Sequence, residues 1–169
     1  MLRWFALLLI IACSGAFGLI MARRYSLRPK QLREFHQAIE ALETEISYGS
    51  TPLPQALNAA ATGLDYGLDS FLKSIGEQIL SGHQASTAWQ KSCRDAENML
   101  CLTTDDWKII TQVGIGLGTT DRQEEKKKLR LACIRLQAAE EKAALQSGKL
   151  AKMWSYMGFL AGCALALVI

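Results

Sequence analysis

Apolar residues are arranged in two ways along this chain, continuous at both ends and periodic in between. From Trp4 to Ala22 nineteen residues pass without a charge, and from Met153 to Ile169 seventeen more do so. At roughly 1.5 Å of rise per residue, helices of these lengths approach the thickness of a hydrocarbon core of about 30 Å. The pattern predicts a transmembrane anchor over residues 1–22 and another over 153–169, the second at the short limit for a span. Between them, over 23–152, the period changes to that of amphipathic helices.

From Pro29, Leu32, Phe35, Ile39, Leu42 and Ile46 form one apolar stripe, stopped by Gly49. Ser50-Thr51-Pro52 starts a second helix with a hydroxyl cap, and Leu53, Ala56, Leu57, Ala60 and Ala61 line its inner side up to Gly63. Asp69-Ser70 opens a third helix, with Phe71, Leu72, Ile75, Ile79 and Leu80, ended by Gly82. A fourth carries Ala85, Ala88, Trp89 and Cys93. Thr104 caps a fifth, with Trp107, Ile110, Val113 and Leu117 inward. Thr120 and Gln123 make a capping box for a sixth, which meets no strong breaker before Ser147 and runs on through Gly148. No stretch alternates at period two long enough for a sheet. The predicted fold is all-α, an antiparallel six-helix bundle flanked by an N-terminal and a C-terminal transmembrane helix.

Charge orients this arrangement. Arg23, Arg24, Arg28, Lys30 and Arg33 follow the first apolar stretch, and Lys142, Lys149 and Lys152 precede the second, with no acid interspersed in either collar. Basic residues resist translocation, so the body is expected in the cytoplasm and both termini outside. Residues 34–141 hold all sixteen acids and ten bases, and residues 34–106 alone carry a net charge of −8. The overall pI near 8.6 therefore belongs to the membrane edge, where anionic lipids attract bases, and gives no support to nucleic-acid binding. Ile10-Ile11-Ala12-Cys13 loosely matches the box before a lipid-modified cysteine, and an exported lipoprotein cleaved at Cys13 is the alternative. The apolar stretch continues nine residues past Cys13, which favours a retained helix.

Chemistry has little to stand on. The chain has five cysteines without a C-x-x-C and only His36 and His83, so buried free thiols are expected. Gly114-x-Gly116-x-Gly118 lacks the third glycine of a dinucleotide fingerprint and an upstream strand, and reads as a thinning of a helix end where neighbours cross. The carboxylates at 105–106, 124–125 and 140–141 are sequence neighbours about 100° apart on a helix and do not converge. Glu124 and Lys128 are spaced as an i,i+4 pair on a solvated face. No cofactor, metal site or catalytic residue is expected. Gly158 and Gly162 form a G-x-x-x-G suited to helix–helix association in a bilayer, so a homo-oligomer is possible on this reading. Glu40, Glu43 and Glu45 on the first helix are the candidate partner contacts, with Glu45 also placed to orient the turn at Gly49; the basic stretch from Lys126 to Arg130 is the other candidate face.

The run Glu43-Thr44-Glu45-Ile46-Ser47-Tyr48-Gly49-Ser50-Thr51-Pro52-Leu53-Pro54-Gln55-Ala56-Leu57, the segment Gly116-Leu117-Gly118-Thr119-Thr120-Asp121-x-Gln123 and Gly158 in a terminal apolar segment resemble the stage III sporulation protein AB family. The soluble part of that family is similar to the six-helix domain of the platform protein of type II secretion and type IV pilus machines. Those domains usually carry a glutamate where this chain has Ile115, so the resemblance implies no metal here. It implies a non-enzymatic membrane platform of the sporulation complex linking mother cell and forespore, with a cytoplasmic domain on the mother-cell side and anchors in the outer forespore membrane. The implied partners are a secretion-type ATPase and the other membrane subunits of that complex. A generic membrane-anchored helical scaffold is the plainer reading of the same pattern.

Overall fold

The computed structural model describes the backbone of residues 2–48, 51–117 and 122–168, with the side chains of most residues from 14 to 160. Among the described residues there are six helices and no strand: α1 (Leu2–Tyr48), α2 (Leu53–Ala60), α3 (Leu68–Leu80), α4 (Ala85–Ala96), α5 (Thr104–Ile115) and α6 (Arg122–Val168). The protein is all-α. The chain divides into two compact units, Lys30–Glu141 and the two terminal stretches Met1–Pro29 and Lys142–Ile169. Among the described residues no helix is long and apolar enough to cross a membrane. Much of both expected anchors, residues 1–13 and 161–169, falls outside the described side chains.

The first helix does not begin at Pro29. α1 runs from Leu2 and takes Pro29 into its interior. A proline there supplies no N–H to the carbonyl four residues back, that of Tyr25. Both units nonetheless share one helix across the proline, and the division of the chain falls at this residue. α6 likewise continues unbroken through Gly148 to Val168, as its lack of breakers predicts.

The core of the Lys30–Glu141 unit is built from the predicted stripes. Leu32, Phe35, Ile39 and Leu42 of α1 are buried, as are Ala56, Leu57, Ala60 and Ala61 around α2. Phe71, Leu72 and Ile75 of α3, Ala88, Trp89 and Cys93 of α4, and Trp107, Ile110 and Val113 of α5 meet them. α6 adds Leu129, Ala132, Cys133 and Leu136. Phe71 sits at the centre of an aromatic cluster, edge-on to Phe35 at 5.5 Å and to Trp89 at 5.7 Å. Such T-shaped contacts place the positive ring edge against the negative face. Leu80, expected on the inner side of the third helix, is 71% exposed. It lies eight residues past Leu72, about 80° round the helix and off the buried face.

The helix starts differ from expectation in instructive ways. α5 is capped by Thr103, one residue earlier than predicted, in a reciprocal box with Asp106. The Thr103 backbone N–H and hydroxyl both donate to Asp106 Oδ2, at 2.8 and 2.7 Å. The N-cap is one residue back because the box needs its acid at the third helical position, and Asp106 fills it from Thr103. α2 has Pro52 at its N-cap and no side-chain cap. The Thr51 hydroxyl instead donates to Glu45 Oε2 at 3.0 Å. The Gly49 stop, the Ser50 part of the expected cap and the Thr120–Gln123 box fall outside the described residues.

One contact fixes how closely α4 and α5 approach. Trp89 is fully buried and its indole N–H donates to the Ile110 carbonyl at 2.9 Å. Its ring lies on Gly114: a Cβ built there would come within 2.2 Å of two Trp89 ring carbons. Gly114 thus serves packing, as the reading of a thinned helix end expects. Gly116 is different, since a Cβ there meets only the Lys128 stem, 3.0 Å from Cδ. Gln31, also buried, accepts the Cys101 backbone N–H at 2.8 Å and ties α1 to the α4–α5 connection.

Two outcomes are expected. Residues 28–148, freed of the terminal segments, fold alone, giving a strongly helical far-UV circular dichroism spectrum and a cooperative melt. In that fragment Gly114→Ala costs about 3 kcal/mol in urea unfolding, because Trp89 can neither shift nor give up its hydrogen bond. Gly116→Ala stays within about 0.5 kcal/mol, since a lysine stem rotates away. Equal losses in the two variants would show that the Trp89–Gly114 contact does not limit the packing.

Candidate protein-docking site

The acidic residues singled out in the sequence lie on the last turns of α1, in the Lys30–Glu141 unit. Glu40 is exposed and Glu43 half-buried. Together with His36 and Thr44 they form one wall of a groove whose other wall is α6, contributing Lys126, Arg130, Cys133, Ile134 and Gln137. The groove encloses about 390 Å³. The two faces that the sequence offers as alternatives, acids on the first helix and bases on the sixth, are opposite walls of one groove. Sequence spacing did not show this, because more than eighty residues separate Glu43 from Lys126.

Glu45 does not join them. Its carboxylate accepts the Thr51 hydroxyl, and the turn at Gly49 that it is expected to orient lies outside the described residues. Cys133 forms part of the groove floor. Burial, then the negative charges of Glu43 and Glu40, push its thiol up to about 11. Cys93, buried and hydrogen-bonded to Thr111, is likewise pushed up to about 11 by burial. At neutral pH both are protonated and poor nucleophiles or metal ligands. Cys93, Cys101 and Cys133 are all free. Cys13 and Cys163 lie outside the described side chains.

Other ionisable groups have structural partners. Asp106 caps α5, and Asp105 pairs with Lys108 at 2.9 Å. The Glu34 carboxylate accepts the Asp65 backbone N–H at 2.9 Å, with its pKa raised by partial burial and then, against that hydrogen bond, by the neighbouring Asp65 and Asp69 charges. The Lys128 stem lies over Gly116, and no Glu124–Lys128 ion pair occurs among the described residues. No group of three or more His, Cys, Asp or Glu side chains that could hold a metal ion occurs among the described residues.

The basic collars divide between the two units. Arg23, Arg24, Arg28, Lys142, Lys149 and Lys152 belong to the unit of terminal stretches, and all but the half-buried Arg28 are exposed. Lys30 and Arg33 belong to the other unit and have partners there. Arg33 Nε donates to Glu140 Oε1 at 2.7 Å, tying α1 to α6, and Lys30 Nζ sits 5.8 Å from the centre of the Tyr66 ring. Periodicity gave no sign of these roles, because both depend on partners distant in sequence. Gly158 and Gly162 lie on α6, and their surroundings fall outside the described side chains.

Three comparisons agree on what this arrangement resembles. Residues 3–169 match the family model for stage III sporulation protein AB. The chain is 33% identical over 170 residues to stage III sporulation protein AB of Bacillus subtilis (strain 168), covering 100% of this chain and 99% of that relative. A solved structure of stage III sporulation protein AB superposes with a TM-score of 0.68 at 31% identity, covering 72% of this chain and 97% of that one. With the matches extending over nearly its whole length, the chain belongs to the stage III sporulation protein AB family.

Proposed function

We propose that this chain is a non-enzymatic membrane platform of the sporulation complex, held by an apolar anchor at each end and docking a cytoplasmic secretion-type ATPase. The observation that carries this reading is the α1–α6 groove, which brings exposed acids and bases to one surface of the helical unit. A docking face of alternating charge gives register and association rate more than raw affinity, which suits a component that must engage a motor reversibly. The family supplies the sporulation setting. The uncharged stretches at 4–22 and 153–169, with their basic collars, support the anchors and the cytoplasmic placement of the body. Glu40 and Glu43 are the contacts on the acidic wall, Lys126 and Arg130 on the basic one, and Glu45 orients the turn behind them. The other partners on this reading are the membrane lipids around the anchors and the remaining membrane subunits of the complex.

Topology is tested by impermeant thiol labelling of Leu2→Cys and Gln90→Cys in chains whose native cysteines are replaced by alanine. In intact cells residue 2 should label and residue 90 should not. Labelling at 90 without labelling at 2 would overturn the orientation.

The docking face is tested by Glu40→Lys with Glu43→Lys, which should weaken ATPase binding and flatten its dependence on salt. These reversals also place like charges across the groove from Lys126 and Arg130, so the melting midpoint should fall slightly, by less than about 1 kcal/mol for such exposed charges. Adding Lys126→Glu and Arg130→Glu should restore the midpoint while leaving binding impaired. Unaltered affinity across a salt series in the first variant would place the docking face elsewhere.

A further inference from the structure

A second groove lies on the opposite flank of α6, between that helix and α5, and differs from the first in chemistry. It is lined by Ile109, Val113 and Ile115 of α5 and by Leu131 and Ala132 of α6, with Lys128 and Arg135 also in its wall. Its volume is about 240 Å³. Ile115 is 57% exposed and Leu131 48%, so two large apolar side chains stand at its mouth without cover. Among the described residues no acidic side chain lines it, in contrast to the α1–α6 groove.

The two bases stand at a fixed spacing on α6, and one of them is oriented by a partner. Lys128 and Arg135 are seven residues apart on α6, which puts them on the same face and roughly 10 Å apart along the axis. The Arg135 guanidinium donates to Gln112 Oε1 at 2.9 Å, a neutral acceptor that orients it without cancelling its charge. The Lys128 stem lies on Gly116, where a Cβ would come within 3.0 Å of its Cδ. Neither base forms an ion pair among the described residues. The result is an apolar cleft with a cation at each end and, among the described residues, no acid in its lining.

We propose that this α5–α6 cleft is a second docking surface, taking an acidic amphipathic helix from a partner protein. Leucine-sized side chains of that helix fill the space over Val113 and Ala132 and cover Ile115 and Leu131. Carboxylates two turns apart on its flank meet Lys128 and Arg135. Helix-in-groove recognition uses apolar anchors at three-, four- and seven-residue steps, and the spacing of the two cations matches that repeat. The volume is below that of an ordinary small-molecule site, about 300–1,000 Å³, and suits one or two side-chain anchors. A recess of this kind also fits protruding side chains better than the level surface of a bilayer. The cleft shares no lining residue with the α1–α6 groove, so the two surfaces can be perturbed separately.

The test places a photoreactive benzoylphenylalanine at position 131 of the full chain in sporulating cells and maps the crosslinked peptide by mass spectrometry. The expected adduct is a helix of another protein with acidic residues flanking an apolar stripe. Lys128→Glu with Arg135→Glu should cut the adduct about tenfold or more, and a Glu→Lys exchange in the mapped helix should restore it. Ile115→Ser, at an exposed position, should also lower the yield while leaving the melting midpoint unchanged. Glu40→Lys with Glu43→Lys should leave this adduct intact whatever it does to ATPase binding. An adduct with lipid or with a second copy of the chain, no adduct from a folded protein, or a yield indifferent to the charge reversals would overturn the proposal.

Discussion

The contact of Trp89 with Gly114 sets the distance at which α4 and α5 cross, and the rest of the helical unit is arranged around that distance. The indole ring occupies the space a side chain at 114 would need, and its N–H is committed to the Ile110 carbonyl in the same helix. Burying an indole without an acceptor costs roughly 1–3 kcal/mol, so the hydrogen bond fixes the ring's orientation as well as its depth. Phe71 then packs edge-on against that ring, and Phe35 of α1 packs edge-on against Phe71. Through this chain of aromatic contacts one glycine on α5 governs how α1, α3 and α4 meet.

The surface consequences follow from where α5 and α6 come to lie. With Gly114 under Trp89, the next two residues lie beside α6: Ile115 faces the cleft and Gly116 receives the Lys128 stem. A larger residue at 116 would push that stem, and with it one of the two charges at the cleft's edge. Packing and surface chemistry are therefore joined through adjacent positions of a single helix end. On the other flank of α6 the acids of α1 stand opposite bases, whereas the charged side chains lining the α5–α6 cleft are, among the described residues, bases alone. Two grooves on one helix thus offer different electrostatics to whatever approaches them.

Cross-links distant in sequence tie α1 to α6 and to the connections between the other helices. Arg33 meets Glu140, Gln31 meets the Cys101 backbone, and Glu34 accepts from Asp65. Arg33 is well exposed, so its ion pair adds little stability on its own. Its effect is geometric, since it relates the register of α1 to that of α6 at one end of the α1–α6 groove. The buried Gln31 bond weighs more, because breaking it would leave an amide oxygen without a partner.

The sequence by itself determined the helical class, the inner faces of the helices and the stops near Gly63 and Gly82. These depend on local spacing: an apolar stripe at three- and four-residue steps has one stable burial, and Gly63 and Gly82 adopt the positive φ that favours glycine. Family membership was also legible, because the run around Gly49 and the segment before the sixth helix are motifs in the linear order of residues. Tertiary structure alone decided that Glu40 and Lys126 share a groove, that Glu45 accepts the Thr51 hydroxyl, and that two residues of the basic collar engage the helical unit. It alone decided that Gly114 accommodates an indole while Gly116 accommodates a lysine stem. The physical reason is the same in each case. Helical periodicity states which side of a helix is apolar, but a polar residue's role is set by the partner it meets, and that partner arrives from a distant helix only when the chain has packed.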